Sequence, residues 1–357
     1  MYYTVYIGNH LIYSPTLYRE KYDILSPKMS SELNRSDNLS FTVPDTNPNY
    51  NYVAYDANEI KVYEDGERIF RGRLLTIDKN FYRHKIVYAE GELAYLNDAC
   101  IRPYAERTES VANFFAYIIG QYNNSVDNYK QFVVGSCDIT GTVTSASEEY
   151  VSAFSELTNK LVNVYGGYLL PRCEVVDGVE INYIDYLKEP GTGTQTIKFA
   201  ENLLDLSNKH DSSDVFSVII PLGAEDENTG ERITIESVNS GSDRIVDSTL
   251  VSVYGAIEKV VIYDKITDPQ ILYDTGASLL SRIGRAQSIE VRAIDIRDLG
   301  VDVASFRIGY KYRLISAPHG FVESTDFFRL SRIDLDLQSP DRSAYVFGAV
   351  NPKISRK

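Results

Sequence analysis

The sequence predicts an α+β fold in which β-structure dominates, and three features carry that prediction. Between Glu59 and Asp98, Ile60, Val62 and Tyr63 lead into Glu64-Asp65-Gly66-Glu67, and Ile69, Phe70, Leu74 and Ile77 lead out. Two β-rich runs thus flank an Asp-Gly turn and read as a hairpin. After Arg102-Pro103 the apolar residues change from alternation to helical spacing. β-rich runs then return and fill most of the second half. With 357 residues the chain is long enough for two or three domains with their own cores.

In chain order, residues 2–13 alternate around Gly8-Asn9 and open with a strand or hairpin. Leu39, Phe41 and Val43 alternate with Ser40 and Thr42, giving a half-buried strand that ends at Pro44. Residues 84–89 add a third strand to the Asp65-Gly66 hairpin, and residues 91–98 leave it as a short turn or helical piece. Thr108 is placed to cap a helix bearing Val111, Phe114, Phe115, Ile118 and Ile119, with Gly120 near its end. Ser145 and Glu148 have capping-box spacing ahead of a stripe of Val151, Phe154, Leu157, Leu161 and Val164, which Gly166-Gly167 stops. Strands follow at 168–170, 173–176 and 179–186, the last two joined through Asp177-Gly178.

Residues 188–194, KEPGTGT, read as a flexible linker with little to bury. Beyond it lie β-rich runs at 216–220, 232–238 and 257–263. Asp268-Pro269 then caps a helix carrying Ile271, Leu272, Leu279, Leu280 and Ile283. Strands resume at 289–296, 310–315, 327–337 and 344–347. Residues 73–78 (RLLTID) and 329–334 (RLSRID) share four of six positions, the sort of echo a duplicated domain leaves.

Composition narrows the function. A net charge of −14 argues against a protein that grips nucleic acid through its phosphates, though an acidic lumen would let DNA slide. Twenty-eight tyrosines against no tryptophan suit strands that stay soluble yet pack against partners, or simply core aromatics. Cys100, Cys137 and Cys173 are odd in number and widely spaced, so they read as buried thiols of a reducing cytoplasm. No basic-plus-apolar leader opens the chain and no run approaches the ~20 apolar residues of a membrane span, so no direct membrane insertion is expected.

No constellation calls for chemistry. His10, His84, His210 and His319 lie dozens of residues apart and in no metal spacing. There is no GxSxG elbow and no phosphate-binding loop. Glu225, Glu227, Thr229 and Gly230 imitate a calcium loop, but Arg232 stands where an apolar residue belongs, so a solvated loop is the reading. Asp334 and Asp336 share one face of a strand and read as its wet side, as Glu148-Glu149 read as solvated charge. No catalytic, cofactor-binding or metal-binding residue is therefore expected, and no cofactor.

One resemblance is present. Asp65-Gly66, Ile69-Phe70-Arg71-Gly72-Arg73 and residues 90–98 (EGELAYLND), after Leu39 to Pro44 and Asn47-Pro48-Asn49-Tyr50, resemble the tail hub proteins of long-tailed bacteriophages. These form the N-terminal hub region of the prophage endopeptidase tail, or tail-associated lysin, family, and are similar to the baseplate hub of contractile-tailed phages. Residues 233–241 (ITIESVNSG), Val253-Tyr254-Gly255 and residues 333–340 (IDLDLQSP) fit the same family, whereas residues 102–186 match least.

The resemblance implies two tail-tube-like β-barrel domains with an inserted small α+β domain. Residues 1–99 would be the first barrel, 100–197 the insertion, and 198–330 the second barrel with a helix near 268–286. Residues 331–357 would be C-terminal strands packing back on the barrels. It also implies a non-enzymatic virion protein made in the host cytoplasm, a homotrimeric ring at the distal end of the tail tube. The implied neighbours are the distal tail protein, the tail tube, the tape-measure protein and receptor-binding proteins, with DNA passing through unbound. Two alternatives follow: the hub part of a peptidoglycan hydrolase whose catalytic domain lies outside this chain, or a carbohydrate- or receptor-binding module, against which the lack of tryptophan weighs.

Overall fold

The computed structural model describes residues 2–54, 59–210, 216–225, 230–264, 266–283, 287–293, 305–319 and 327–348. Two compact units emerge. One comprises residues 1–157, 167–207 and 289–347, the other 158–166, 208–288 and 348–357.

The first unit begins as an antiparallel sheet. Strands β1 (Tyr3–Ile7) and β2 (His10–Tyr13) form the opening hairpin, followed by β3 (Leu25–Glu32) and β4 (Asn38–Val43). β5 (Ile60–Glu64), β6 (Glu67–Lys79) and β7 (Lys85–Gly91) complete it, β1 pairing with β5 and β4 with β7. The Asp65-Gly66 turn works because both residues hold positive φ, 49° and 89°, as the tight turn between right-twisted strands requires. Alternation decides which side is buried: Leu39, Phe41, Val43, Val62, Val87 and Ala89 enter one core with Tyr3, Val5 and Ile7. β3, which contains Pro27, gave no alternating signal; it is held by β4 on one side.

The α-helical part follows. β8 (Cys100–Ile101) and β9 (Tyr104–Ser110) precede α1 (Val111–Asn123), which buries Val111, Phe114, Phe115, Ile118, Ile119 and Tyr122. Thr108 does not cap α1. It sits in β9 opposite Thr144, and Ser110 accepts the cap hydrogen bond from Asn113 N at 3.2 Å. β10 (Val133–Cys137) and β11 (Thr142–Ser147) come next, then β12 (Val151–Ser152). Ser145 is likewise in a strand, and the following helix starts later, at Ala153, with Ser152 Oγ accepting from Ser155 N. That helix runs through α2 (Ala153–Leu157), a π turn (Thr158–Val162) and α3 (Asn163–Tyr165) before Gly166, at φ 75°, ends it.

β13 (Tyr168–Val176) is one strand through Pro171, and it pairs antiparallel with β14 (Val179–Leu187). The segment read as a linker is instead packed. β15 (Thr192–Lys198) already starts within it, and Glu189 bonds Lys311 and Arg329, each at 2.8 Å. Gly193 is needed there because a Cβ would stand 1.9 Å from the Tyr312 ring. β16 (Leu203–His210) closes this stretch.

The second unit packs β17 (Val218–Leu222), β18 (Ile245–Val246), α4 (Ser248–Tyr254), β19 (Glu258–Ile262) and α5 (Pro269–Ile283) around Phe216, Ile219, Ile235, Ile245, Leu250, Leu272 and Leu280. Asp268 caps α5 through Gln270 N and Ile271 N. The run at 232–238 is not a strand. Ile233 exchanges backbone bonds with Gly223 and Ala224, and the chain then turns.

β20 (Gln287–Ala293), β21 (Lys311–Ile315), β22 (Phe327–Asp336) and β23 (Ala344–Gly348) complete the described strands. They extend the first strands into one sheet ordered β16-β20-β23-β22-β3-β4-β7-β6-β5-β1-β2, with β21 pairing β15 and β22. β22 joins two cores, giving Leu330 and Ile333 to one around Tyr312 and Phe347, while Leu335 packs against both and Leu337, just beyond the strand, enters the first. The structure is thus β-rich α+β, but among the described strands this path does not close into a barrel, because its end strands β16 and β2 do not pair with each other.

Candidate functional site

The densest constellation of charge lies where the β5–β6 hairpin meets β14. Glu180 accepts from Lys61 Nζ at 2.8 Å, Tyr63 OH at 2.8 Å and Arg68 Nη1 at 2.9 Å. Arg68 Nη2 also reaches Asn182 at 2.6 Å. Partial burial pushes the Glu180 carboxyl up, but the hydrogen bonds from Lys61 and Tyr63 and the charges of Arg68 and Lys61 outweigh it and hold it down at about 2.

Three residues along β6, Arg71 is among the most buried side chains of the described residues. Its Nε donates to Glu92 at 2.6 Å and its Nη1 to the Tyr129 carbonyl at 2.8 Å, while its guanidinium lies 5.4 Å from the centroids of both Tyr95 and Phe132. Burial pushes Glu92 up, and the Arg71 and Arg68 charges hold it back. Arg73 extends the row by bonding Glu90 and Asp98, and Lys130 reaches Asp98 at 2.8 Å.

These groups tie a sheet to its neighbouring elements, since each cation has its carboxylate. None sits as a nucleophile beside a base. Among the described residues no group of three or more His, Cys, Asp or Glu is placed to hold a metal. His10 stacks on Tyr52 at 3.5 Å, His84 lies in the turn after β6, and His210 and His319 fall in a strand and a 3-10 turn. Asp334 accepts from Ser30 and Arg332, and Asp336 from the amides of Gln338 and Ser339, so this pair is structural. Arg232, bonded to Asp264 and 3.8 Å from Glu225, supplies a cation at the acidic loop; Glu227 and Thr229 lie outside the described residues.

The cysteines depart from expectation: Cys100 is exposed and Cys137 and Cys173 half-buried, because Cys100 points outward from a two-residue strand whose inward position is Ile101. No described helix is long and apolar enough to cross a membrane.

A scan against protein-family models finds no match, and a sequence search of curated proteins finds none either. Comparison of folds does find neighbours. The 43 kDa tail protein of prophage MuSo2 from Shewanella oneidensis is similar with a TM-score of 0.67 at 12% identity, covering 99% of both chains. A tail protein from Neisseria meningitidis MC58 gives 0.65 at 12% identity, covering 97% of this chain and 95% of that one. The prophage tail protein gp18 from Listeria monocytogenes EGD-e gives 0.61 at 13% identity, with 99% and 96% covered. What is shared at such identities is the fold, from end to end.

Proposed function

We propose that this chain is a structural component of a phage or prophage tail, a tail-tip or baseplate hub. It forms a trimeric ring at the distal end of the tail tube, joins tube to host-facing tip and gates the passage of tape-measure protein and DNA. Its place of action is the virion tail. The observation that carries this reading is the end-to-end coverage, in both directions, of three tail proteins. The charged row on β6 supports a mechanical role: it fixes elements to one another and offers no reacting pair. In the ring an acidic chain, −14 overall, would let DNA slide past without binding it.

Light scattering of the purified chain across a wide concentration range tests this. The ring predicts 3 × 40.3 = 120.9 kDa, with rings seen by electron microscopy. A monomer at every concentration would contradict the ring, and turnover of peptidoglycan by the purified chain would contradict the non-enzymatic reading.

A further inference from the structure

Two hairpin tips of the first unit display apolar side chains to solvent. The first joins β6 to β7. Phe81 is 93% exposed and Tyr82 71%, yet the turn beneath them is well fixed. Asn80 Oδ1 accepts from Tyr82 N and His84 N, each at 3.0 Å; Asn80 N donates to the His84 carbonyl, Arg83 N donates to the Asn80 carbonyl, and the Tyr50 hydroxyl bonds the Arg83 carbonyl. The second joins β13 to β14 through Asp177 and Gly178, both at positive φ. It presents Val175, 67% exposed, and Val179, 62% exposed, beside Val176. Aromatic and aliphatic side chains held out on fixed turns suit docking, because little ordering entropy remains to be lost.

The tips also differ in charge. Residues 79–84 (KNFYRH) contain Lys79, Arg83 and His84 and no acid, Lys85 being buried with its Nζ on the Tyr50 and Val53 carbonyls, whereas residues 174–180 (EVVDGVE) contain Glu174, Asp177 and Glu180 and no base. Neighbours compensate in part. Asp78 adjoins Lys79, Asp45 lies 3.8 Å from Arg83, Arg172 bonds Glu174, and Lys61 and Arg68 hold Glu180. Lys79 and Asp177 remain exposed, one on each tip.

Within one chain the tips cannot meet. Glu180 is fastened to Arg68 at the start of β6, and Phe81 follows Lys79 at its end. Arg68 and Lys79 lie eleven residue steps apart along the strand, a span of about 35 Å at the usual rise. Apolar surface and opposite charge are thus offered at two distant places on the same unit.

We propose that they are the two halves of one contact between copies of this chain, the Phe81/Tyr82 tip of one seating on the Val175/Val179 tip of the next. Because the two patches differ, the contact is head-to-tail, the kind that builds a closed ring when the rotation between copies allows it. The inference rests on the ring proposed above and names a contact that holds it. Two such tips act as the desolvated centre of a larger interface.

The test compares the wild-type chain with F81S/Y82S and V175S/V179S by sedimentation velocity, alone and mixed in equal amounts, after circular dichroism has verified the fold of each. Association of the wild type at 120.9 kDa (3 × 40.3) and at least a tenfold weaker association of either variant are expected. In the mixture each unlike pair keeps one intact contact, so assembly should stop at 2 × 40.3 = 80.6 kDa. Should a variant misfold, K79E and D177K give a second route: each should weaken association, and the chain carrying both should regain it.

A wild type that never associates would defeat the ring and this contact together. A wild-type ring that both variants still form at unchanged concentration would defeat the contact alone. So would unchanged assembly with loss, in F81S/Y82S only, of binding to vesicles containing anionic phospholipid, which would assign that tip to a lipid surface.

Discussion

In the first unit the β5–β6 hairpin is fastened to β14 by Lys61, Tyr63 and Arg68 around Glu180, and to the turn after β7 by Arg71 on Glu92. In the second unit α5 is fastened to β17 through one apolar core that Leu272 and Leu280 share with Ile219 of the strand and Phe216 before it, with Gly276 letting the helix approach Pro221 and Ile245. The contrast lies in what each joint tolerates. An apolar joint is indifferent to pH and strengthened by excluded salts. A charged joint fixes one arrangement through directional bonds but exposes the unit to the cost of any missing partner. Arg71 illustrates that cost already, since its Nη2 is buried without a protein partner, as is the Tyr95 hydroxyl.

Five substitutions would break or sharpen this contrast. Arg71→Ala should have the largest effect, about 3–5 kcal/mol lost in urea unfolding of the first unit, because Glu92 is then left buried and uncompensated. Arg71→Met, which keeps volume but not charge, should be nearly as harmful for the same reason; near-neutrality would mean the joint is apolar in character.

Leu272→Ala comes next, about 3 kcal/mol in the second unit, with a size that does not change between pH 5 and 8. A pH-dependent loss there would remove the distinction between the units.

Glu180→Gln should cost about 1–2 kcal/mol, less than a fully buried charge-assisted set because the site is partly solvated. Its sign with pH is fixed by the low Glu180 carboxyl, held at about 2 in the folded protein. The stability Glu180 contributes is present above the ordinary carboxylate range and is lost as pH falls through that range towards 2. The wild type should therefore lose its margin over the variant on acidification.

The last substitution concerns Asp37, whose carboxyl burial pushes up to about 7, with Ser31 drawing it back and Glu92 pushing it further. A raised carboxyl contributes stability below about 4 that is lost as pH rises through 7. Asp37→Asn should flatten that fall in stability between about pH 4 and 7, and a steeper fall in the variant would contradict the assignment.

What the residues declared in advance follows the same contrast. α5 and α1 were legible because their apolar stripes repeat within the helix itself, and the β5–β6 hairpin because Asp65-Gly66 dictates its turn. The Thr108 and Ser145 caps were misread because both residues lie in strands that pair with each other's neighbours, a long-range preference that overrode a sound local signal. Ile233 and Ile235 alternate like a strand but meet no partner of sufficient length. The β6 arginine row was invisible as a joint, since Glu180 lies more than a hundred residues from Lys61, Tyr63 and Arg68. Its one sequence signal is Arg71 itself, a cation set between Phe70 and Gly72 in an otherwise inward-facing run. Asp177-Gly178 is a turn by its sequence, whereas residues 80–83 carry no turn reading there, and only their exposure in the structure marks both tips as surfaces.

β3 lies between β4 and β22, with Arg332 opposite Glu32, Asp334 opposite Ser30 and Asp336 opposite Lys28. During synthesis the strand that completes this pairing leaves the ribosome some three hundred residues after β3 does. At translation rates of about 5–20 residues per second, the β3 edge waits roughly 15–60 s for its neighbour. Pro27 and the irregular register between Leu25 and Lys28 blunt that edge in the meantime, making it a poor template for strands of other nascent chains.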